Sequence, residues 1–145
     1  MNEKFYELPA AKQQRIINAG LEVFGAHDYP HASTDDITAK AGISKGLLFY
    51  YFKNKKEFYL FLFDYCCEFF HLRVVTDDFI QITDFFELME YAARVKYSII
   101  LQYPYLMNFV MKAYYSRREE VSEAMKDRIT ATLAEVYSVY FKNIT

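Results

Sequence analysis

The chain has 145 residues, of which 53% are hydrophobic and 25% charged, a balance that suits one compact domain with an apolar core and excludes a disordered polyelectrolyte. Its 17 Lys and Arg against 19 Asp and Glu give a formal net charge of −2, so the molecule as a whole is no polybasic nucleic-acid glue. The charge is uneven: residues 1–56 carry 8 basic and 6 acidic side chains and the rest 9 and 13, so a polyanion is expected to meet the N-terminal third.

Four Gly and three Pro in the whole chain are too few for a loop-rich β protein, and their positions punctuate helices. An all-α fold is expected. The first helix should run from about Pro9 to Gly25, with Ile16, Ile17, Gly20, Leu21 and Phe24 at helical spacing. Asp28 and Tyr29 before Pro30 read as a turn. Ser33, with Asp36 three residues on, caps a short helix from Thr34 to about Ala41. Gly42 supplies a left-handed turn, Ile43 plugs it, and Ser44 caps another short helix to about Phe52. Asn54 with Glu57 caps a long helix from Lys55 to about Arg73. A loop spans Val74 to Thr83, and Phe85, Met89, Ala92, Lys96, Ile99 and Tyr103 then form a stripe ended by Pro104. Pro104 opens the next helix, to about Tyr115. Ser116-Arg117-Arg118-Glu119 reads as a capping box for a last amphipathic helix carrying Val121, Met125, Ile129, Leu133, Val136, Tyr140 and Ile144.

The two cysteines, Cys66 and Cys67, are adjacent and give no spaced set of bridges, which fits a reducing cytosol. Phe58 to Phe63, the longest ring-rich run, is ended by Asp64, far short of the roughly 20 apolar residues of a membrane span. The expected location is cytoplasmic, away from membranes. Cys67 and His71 stand four apart, but two ligands do not make a metal site. No metal, cofactor or catalytic residue is predicted, since no Ser-His-Asp order, phosphate-cradling Gly loop or paired-carboxylate motif is visible.

Residues 33–55 have the physical make-up of a helix-turn-helix. Ala41, Gly42 and Ile43 let two short helices cross closely. Ser44, Lys45 and Gly46 place a hydroxyl, a cation and unpaired backbone donors at a helix N-terminus, where a phosphate is favoured. Leu48 and Phe52, four apart, can seal that helix to a core while Lys45, Phe49 and Tyr50 face elsewhere.

The run Asp36-Ile37-Thr38, Ala41-Gly42-Ile43-Ser44-Lys45-Gly46, Leu48-Phe49-Tyr50-Tyr51-Phe52 and Asn54-Lys55 closely resembles the tetracycline-repressor (TetR) family of bacterial transcription regulators, over about residues 10–63. The resemblance implies a three-helix DNA-binding head over residues 1–54, whose third helix enters the major groove. It also implies a helical ligand-binding and dimerisation domain over 55–145. By the same resemblance Ser33 and Thr34 hold backbone phosphate and Lys45 and Gly46 face the groove, with Ser44 at the helix N-terminus also a DNA-binding candidate. Leu47, Phe49 and Tyr50 touch bases or sugar-phosphate, and Tyr51 and Lys55 clamp phosphate. Asp28 stands where the family normally carries Gly, a change that a left-handed Asp would absorb at modest cost. The family ordinarily continues for two further helices that pair two copies, so the second domain is expected to be truncated at its C-terminus.

The implied function is a ligand-responsive regulator: a repressor that binds a near-palindromic DNA operator as a homodimer and is released by a small aromatic or amphipathic effector. Rings at Phe61, Tyr65, Phe69, Tyr91, Tyr103 and Phe109 are the candidates for lining an effector pocket; with Asp64, Glu68 or Glu90 nearby, such a pocket would suit a flat or cationic amphiphile. Core packing is the plainer role for most of these rings. Two other functions remain open at this point: a ligand-independent architectural or cell-cycle DNA-binding protein of the same family, and a truncated ligand-binding or interaction module.

Overall fold

A computed structural model describes residues 3–115 and 119–145. Among them every regular element is helical: α1 (Glu3–Tyr6), α2 (Ala10–Ala26), a 3-10 turn (Tyr29–His31), α3 (Thr34–Ala41), α4 (Lys45–Phe52), α5 (Lys55–Val74), α6 (Asp77–Gln81), α7 (Phe85–Gln102), α8 (Pro104–Tyr115) and α9 (Glu119–Tyr140). The all-α expectation holds. Residues 116–118 of the expected Ser116–Glu119 capping box lie outside the described residues.

The punctuation acts as its chemistry dictates. Ser33 Oγ accepts from the Asp36 N–H at 3.3 Å, Ser44 Oγ from Leu47 at 3.1 Å and Asn54 Oδ1 from Glu57 at 2.8 Å, each satisfying a donor that a helix start leaves over. Gly42 sits at φ 66°, ψ 37°, where a Cβ would cost roughly 1–2 kcal/mol. The Ile43 N–H reaches back to the Thr38 carbonyl at 3.1 Å, and Arg15 of α2 donates Nε to the Ala41 carbonyl at 2.7 Å. The α3–α4 turn is therefore tied to α2 as well as to itself. Asp28 is extended, at φ −62°, so this turn makes no left-handed demand on the position where the family carries Gly.

Two apolar clusters form. The larger joins Phe5, Ile16, Phe24, Ile37, Leu48, Phe52, Phe58 and Phe63 of the N-terminal helices to Phe109, Val121 and Met125 of the later ones. The smaller gathers Val74, Phe79, Ile82 and Leu88. Close approach between the two parts of the chain is set at Gly25, where a Cβ would lie 3.1 Å from the Tyr105 carbonyl oxygen of α8.

Three expectations are corrected. The segment from Val74 to Thr83 is not all loop: Thr76 Oγ1 caps α6 by accepting from Phe79 at 3.4 Å, and Phe79 is buried. The turn α1 lies outside the expected elements, yet its Phe5 is fully buried. On α7 the buried residues are Leu88, Ala92 and Ile99, while Phe85, Met89 and Tyr103 of the expected stripe are exposed. Ala92 and Ile99 of the expected stripe do face in; Leu88 and Met89 are both apolar at helical spacing to them, so periodicity alone could not choose between those two.

Candidate nucleic-acid interface and effector groove

Helix α4 is amphipathic in an unusual way: its inner side is wholly apolar and its outer side carries rings and a cation. Leu48 and Phe52 are 0% and 1% exposed. Phe52 meets Phe5, Phe58 and Phe61 at ring-centroid distances of 4.9, 4.6 and 4.8 Å. With these two residues holding the helix down, Ser44, Lys45, Gly46 and Tyr50 are exposed, and Leu47, Phe49 and Tyr51 lie on the rest of its surface.

The expected DNA-facing residues thus gather on α4 and its flanks. Ser33 and Thr34 are half-buried at the start of α3. Lys45 Nζ pairs with Asp35 Oδ1 of α3 at 3.1 Å, both well exposed, a contact that solvent and salt weaken to a fraction of a kcal/mol. Gly46 has nothing within 4 Å of the position a Cβ would take. Among the described residues no neighbour requires a glycine there, and Gly46→Ala is expected to leave the melting temperature unchanged or to raise it, since Ala in a helix gains up to about 1 kcal/mol over Gly.

Two further cations border this surface. Lys55 Nζ stands over the Tyr29 ring at 4.5 Å from its centroid and donates to the Tyr29 carbonyl. At the other end, Lys4 of α1 lies over the Tyr50 ring at 4.9 Å and donates to its phenolic oxygen, a bond that holds the Lys4 ammonium above its ordinary pKa. Sequence reasoning missed Lys4. No local pattern marked it: Lys4 is placed by its neighbour Phe5, whose burial against Tyr51 and Phe61 depends on residues far along the chain.

A second feature lies on the flank of the head. An open groove of about 1350 Å³ runs between α2, α5 and the α7–α8 turn, with Arg128 of α9 at its rim. Of the expected effector-binding rings, Phe61, Tyr65, Phe69 and Tyr103 line it. Tyr91 does not; its hydroxyl shares a 2.7 Å hydrogen bond with Thr76 Oγ1 in the smaller cluster. Phe109 is also elsewhere, fully buried against Tyr59 and Phe24. Tyr65 OH reaches Gln14 Oε1 of α2 at 3.5 Å, so the groove bridges the head and the long helix α5. Tyr6, on its wall, has its phenol pKa raised by burial and then by the negative charges of Glu68 and Asp64.

Other polar groups carry structure. Burial pushes the Cys66 thiol far above its ordinary pKa, which leaves it protonated and unreactive. Among the described residues no three His, Cys, Asp or Glu side chains are grouped to hold a metal ion, and no helix is long and apolar enough to cross a membrane.

The fold and the α4 surface define a helix-turn-helix head carried on a helical body. Residues 16–61 match the family model of bacterial regulatory proteins of the tetR family. Over 45 residues the chain is 47% identical to an uncharacterised HTH-type transcriptional regulator, TtgW, and 44% identical to the HTH-type transcriptional regulator SrpR, both of Pseudomonas putida. Each match covers 31% of this chain, and 34% and 21% of those proteins respectively. Over 52 residues, 36% of this chain and 27% of the relative, it is 35% identical to a fatty acid metabolism regulator protein of Bacillus subtilis. A TetR family transcriptional regulator from Chloroflexus aurantiacus superposes with a TM-score of 0.64 at 26% identity, covering 94% of this chain and 66% of the other. A TetR-like regulator from a Rhodococcus species shares the fold at a TM-score of 0.73 and 18% identity, over 92% and 69% of the two chains. Residues 16–61 are thus a tetR-family domain, on a chain that shares the fold of TetR family regulators. It spans about two thirds of the solved relatives and matches about a third or less of the curated ones.

Proposed function

We propose that this protein is a cytoplasmic, DNA-binding transcriptional repressor whose head, residues 1–54, reads an operator with the exposed face of α4, and whose body, residues 55–145, answers a small effector. The observation that carries this reading is the pairing of Leu48 and Phe52, sunk in the core, with Lys45, Gly46 and Tyr50 left on the surface of the same eight-residue helix. A helix so seated presents its cationic N-terminal turn and its open Gly46 to a groove, while Ser33, Thr34, Tyr51 and Lys55 border it to hold backbone phosphate.

One such helix reads few base pairs, so two copies would occupy successive major grooves about 34–36 Å apart. For the pairing surface, α7 offers Phe86, Met89, Ala93, Tyr97 and Ile100 on one face by their three-and-four spacing, all exposed. The acid on this face, Glu90, is already paired with Arg94 at 2.6 Å, so two copies can cover it without setting bare carboxylates against each other. Phe86→Glu combined with Ile100→Glu is expected to hold the protein monomeric in sedimentation at concentrations where the wild type is dimeric, with helical content unchanged. A dimer in the double variant would place the interface elsewhere.

The groove couples effector to operator because it is walled by α2 of the head and α5 of the body. An effector that prefers one angle between them weakens DNA binding by the same factor by which DNA weakens effector binding, and about 1–3 kcal/mol of such coupling is enough for control. Selection from a pool of randomised duplexes tests the operator claim: enrichment of a near-palindrome with half-sites about 10 base pairs apart supports it, and a pool left unenriched rejects it.

A further inference from the structure

We infer that the groove takes an organic cation, and that Arg73 occupies the cation's place until it is displaced. This rests on the reading of the groove as the effector site and adds its chemistry and its means of exchange.

The rings of Phe69 and Tyr103 meet edge to face, 5.0 Å between centroids at 80°, forming a corner with one ring from α5 and one from the end of α7. The Arg73 guanidinium carbon lies 3.3 Å from the Phe69 centroid and 5.4 Å from that of Tyr103. Its hydrogen bond is a long one, 3.5 Å from Nη1 to the Phe69 carbonyl of its own helix, and its side chain stays exposed. The guanidinium is held mainly by ring faces, which attract any cation of suitable size. Such a contact is weak enough at an exposed site to be exchanged.

The surrounding charge selects the sign. Glu22, Glu57, Asp64 and Glu68 line the groove. Glu22 is paired with Lys40 at 2.9 Å and Asp64 with Arg128 at 3.0 Å, so the lining arginine at the rim is already neutralised. Among the described residues neither Glu57 nor Glu68 stands in an ion pair, and the field of Glu68 and Asp64 reaches Tyr6 on the wall. Once Arg73 swings away, the corner is two ring faces beside the unpaired Glu68, with Glu57 about 18 Å further along α5 in the same groove, a setting for a quaternary or delocalised cation and a poor one for an anion. The volume, about 1350 Å³, exceeds that of a drug-sized ligand's usual pocket, about 300–1,000 Å³, so a bulky ion fits beside the displaced guanidinium.

The test uses two ions of one shape and opposite charge, tetraphenylphosphonium and tetraphenylborate, titrated calorimetrically into the full chain without DNA. The phosphonium is expected to bind and the borate not. Arg73→Ala should tighten phosphonium binding by about 2–5-fold, the factor equivalent to losing an exposed cation–π competitor, Arg73→Lys should fall between, and Glu68→Gln should weaken it. Borate binding as tightly as phosphonium, or phosphonium affinity unmoved or lowered by Arg73→Ala, would overturn the inference while leaving the groove as an effector site. Binding of neither ion would remove the groove from the account along with the inference. Retardation of the selected duplex, measured separately, reports on the DNA-binding reading and is independent of all these outcomes.

Discussion

Phe52→Ala is expected to cost about 3–5 kcal/mol of stability, the range for removing a large buried ring without full collapse of the space it leaves. The side chain is 1% exposed and touches rings from two other elements, Phe5 on α1 and Phe58 and Phe61 on α5. It and Leu48 are the buried residues of α4, so its loss unseats the helix proposed to read DNA. Urea unfolding followed by circular dichroism measures the cost. Tyr50→Ala, two residues away and 58% exposed, provides the contrast, since surface substitutions of this kind usually move stability by about 0.5 kcal/mol or less. Near-equal stabilities for the two variants would mean that α4 is not anchored as described.

Phe109→Ala should destabilise to a similar degree, about 3–5 kcal/mol. Its ring is fully buried on α8, 5.1 Å from Tyr59 of α5 and 6.3 Å from Phe24 of α2. Close by, the Gly25 backbone of α2 approaches the Tyr105 carbonyl and the Phe109 N–H of α8. This is where head and body share a core, and burial there also pushes the Tyr59 phenol up to about 12. The wild type should therefore unfold in one transition, and the variant at lower urea with head and body still coupled. A stability change under about 1 kcal/mol would instead fit a ring facing an open ligand space, the role expected of Phe109 from sequence.

That contrast marks what could be read from the chain and what could not. Gly42, Ser44 and Asn54 were legible because each does a local job, a left-handed turn or a cap, that needs no knowledge of the rest of the molecule. The helix-turn-helix and its buried pair, Leu48 and Phe52, followed from that punctuation. Phe5 was not legible: it stands on a four-residue turn, too short to carry a period, and its burial depends on Phe52 and Phe61, far along the chain. The α7 stripe was right at Ala92 and Ile99 and wrong at Phe85 and Met89, which are as apolar as the buried Leu88, and only tertiary contact decides which of them faces in. Phe69 and Phe109 are the same residue in similar ring-rich helices, yet one lines the groove and the other fills the core. Ring content predicted that a cavity could form here; it could not say which rings would border it. The role of Arg73 escaped for the same reason, since its ring partner Tyr103 comes from another helix end.

The central claim, that the outward face of α4 reads DNA, is tested most directly by gel retardation of the selected duplex with wild type, Lys45→Ala and Tyr50→Ala proteins. Each variant should fold normally and lose about 1–3 kcal/mol of binding, or roughly 5–150-fold in affinity. Gly46→Ala should join them with stability unchanged or raised. Equal retardation by all four proteins would contradict the account.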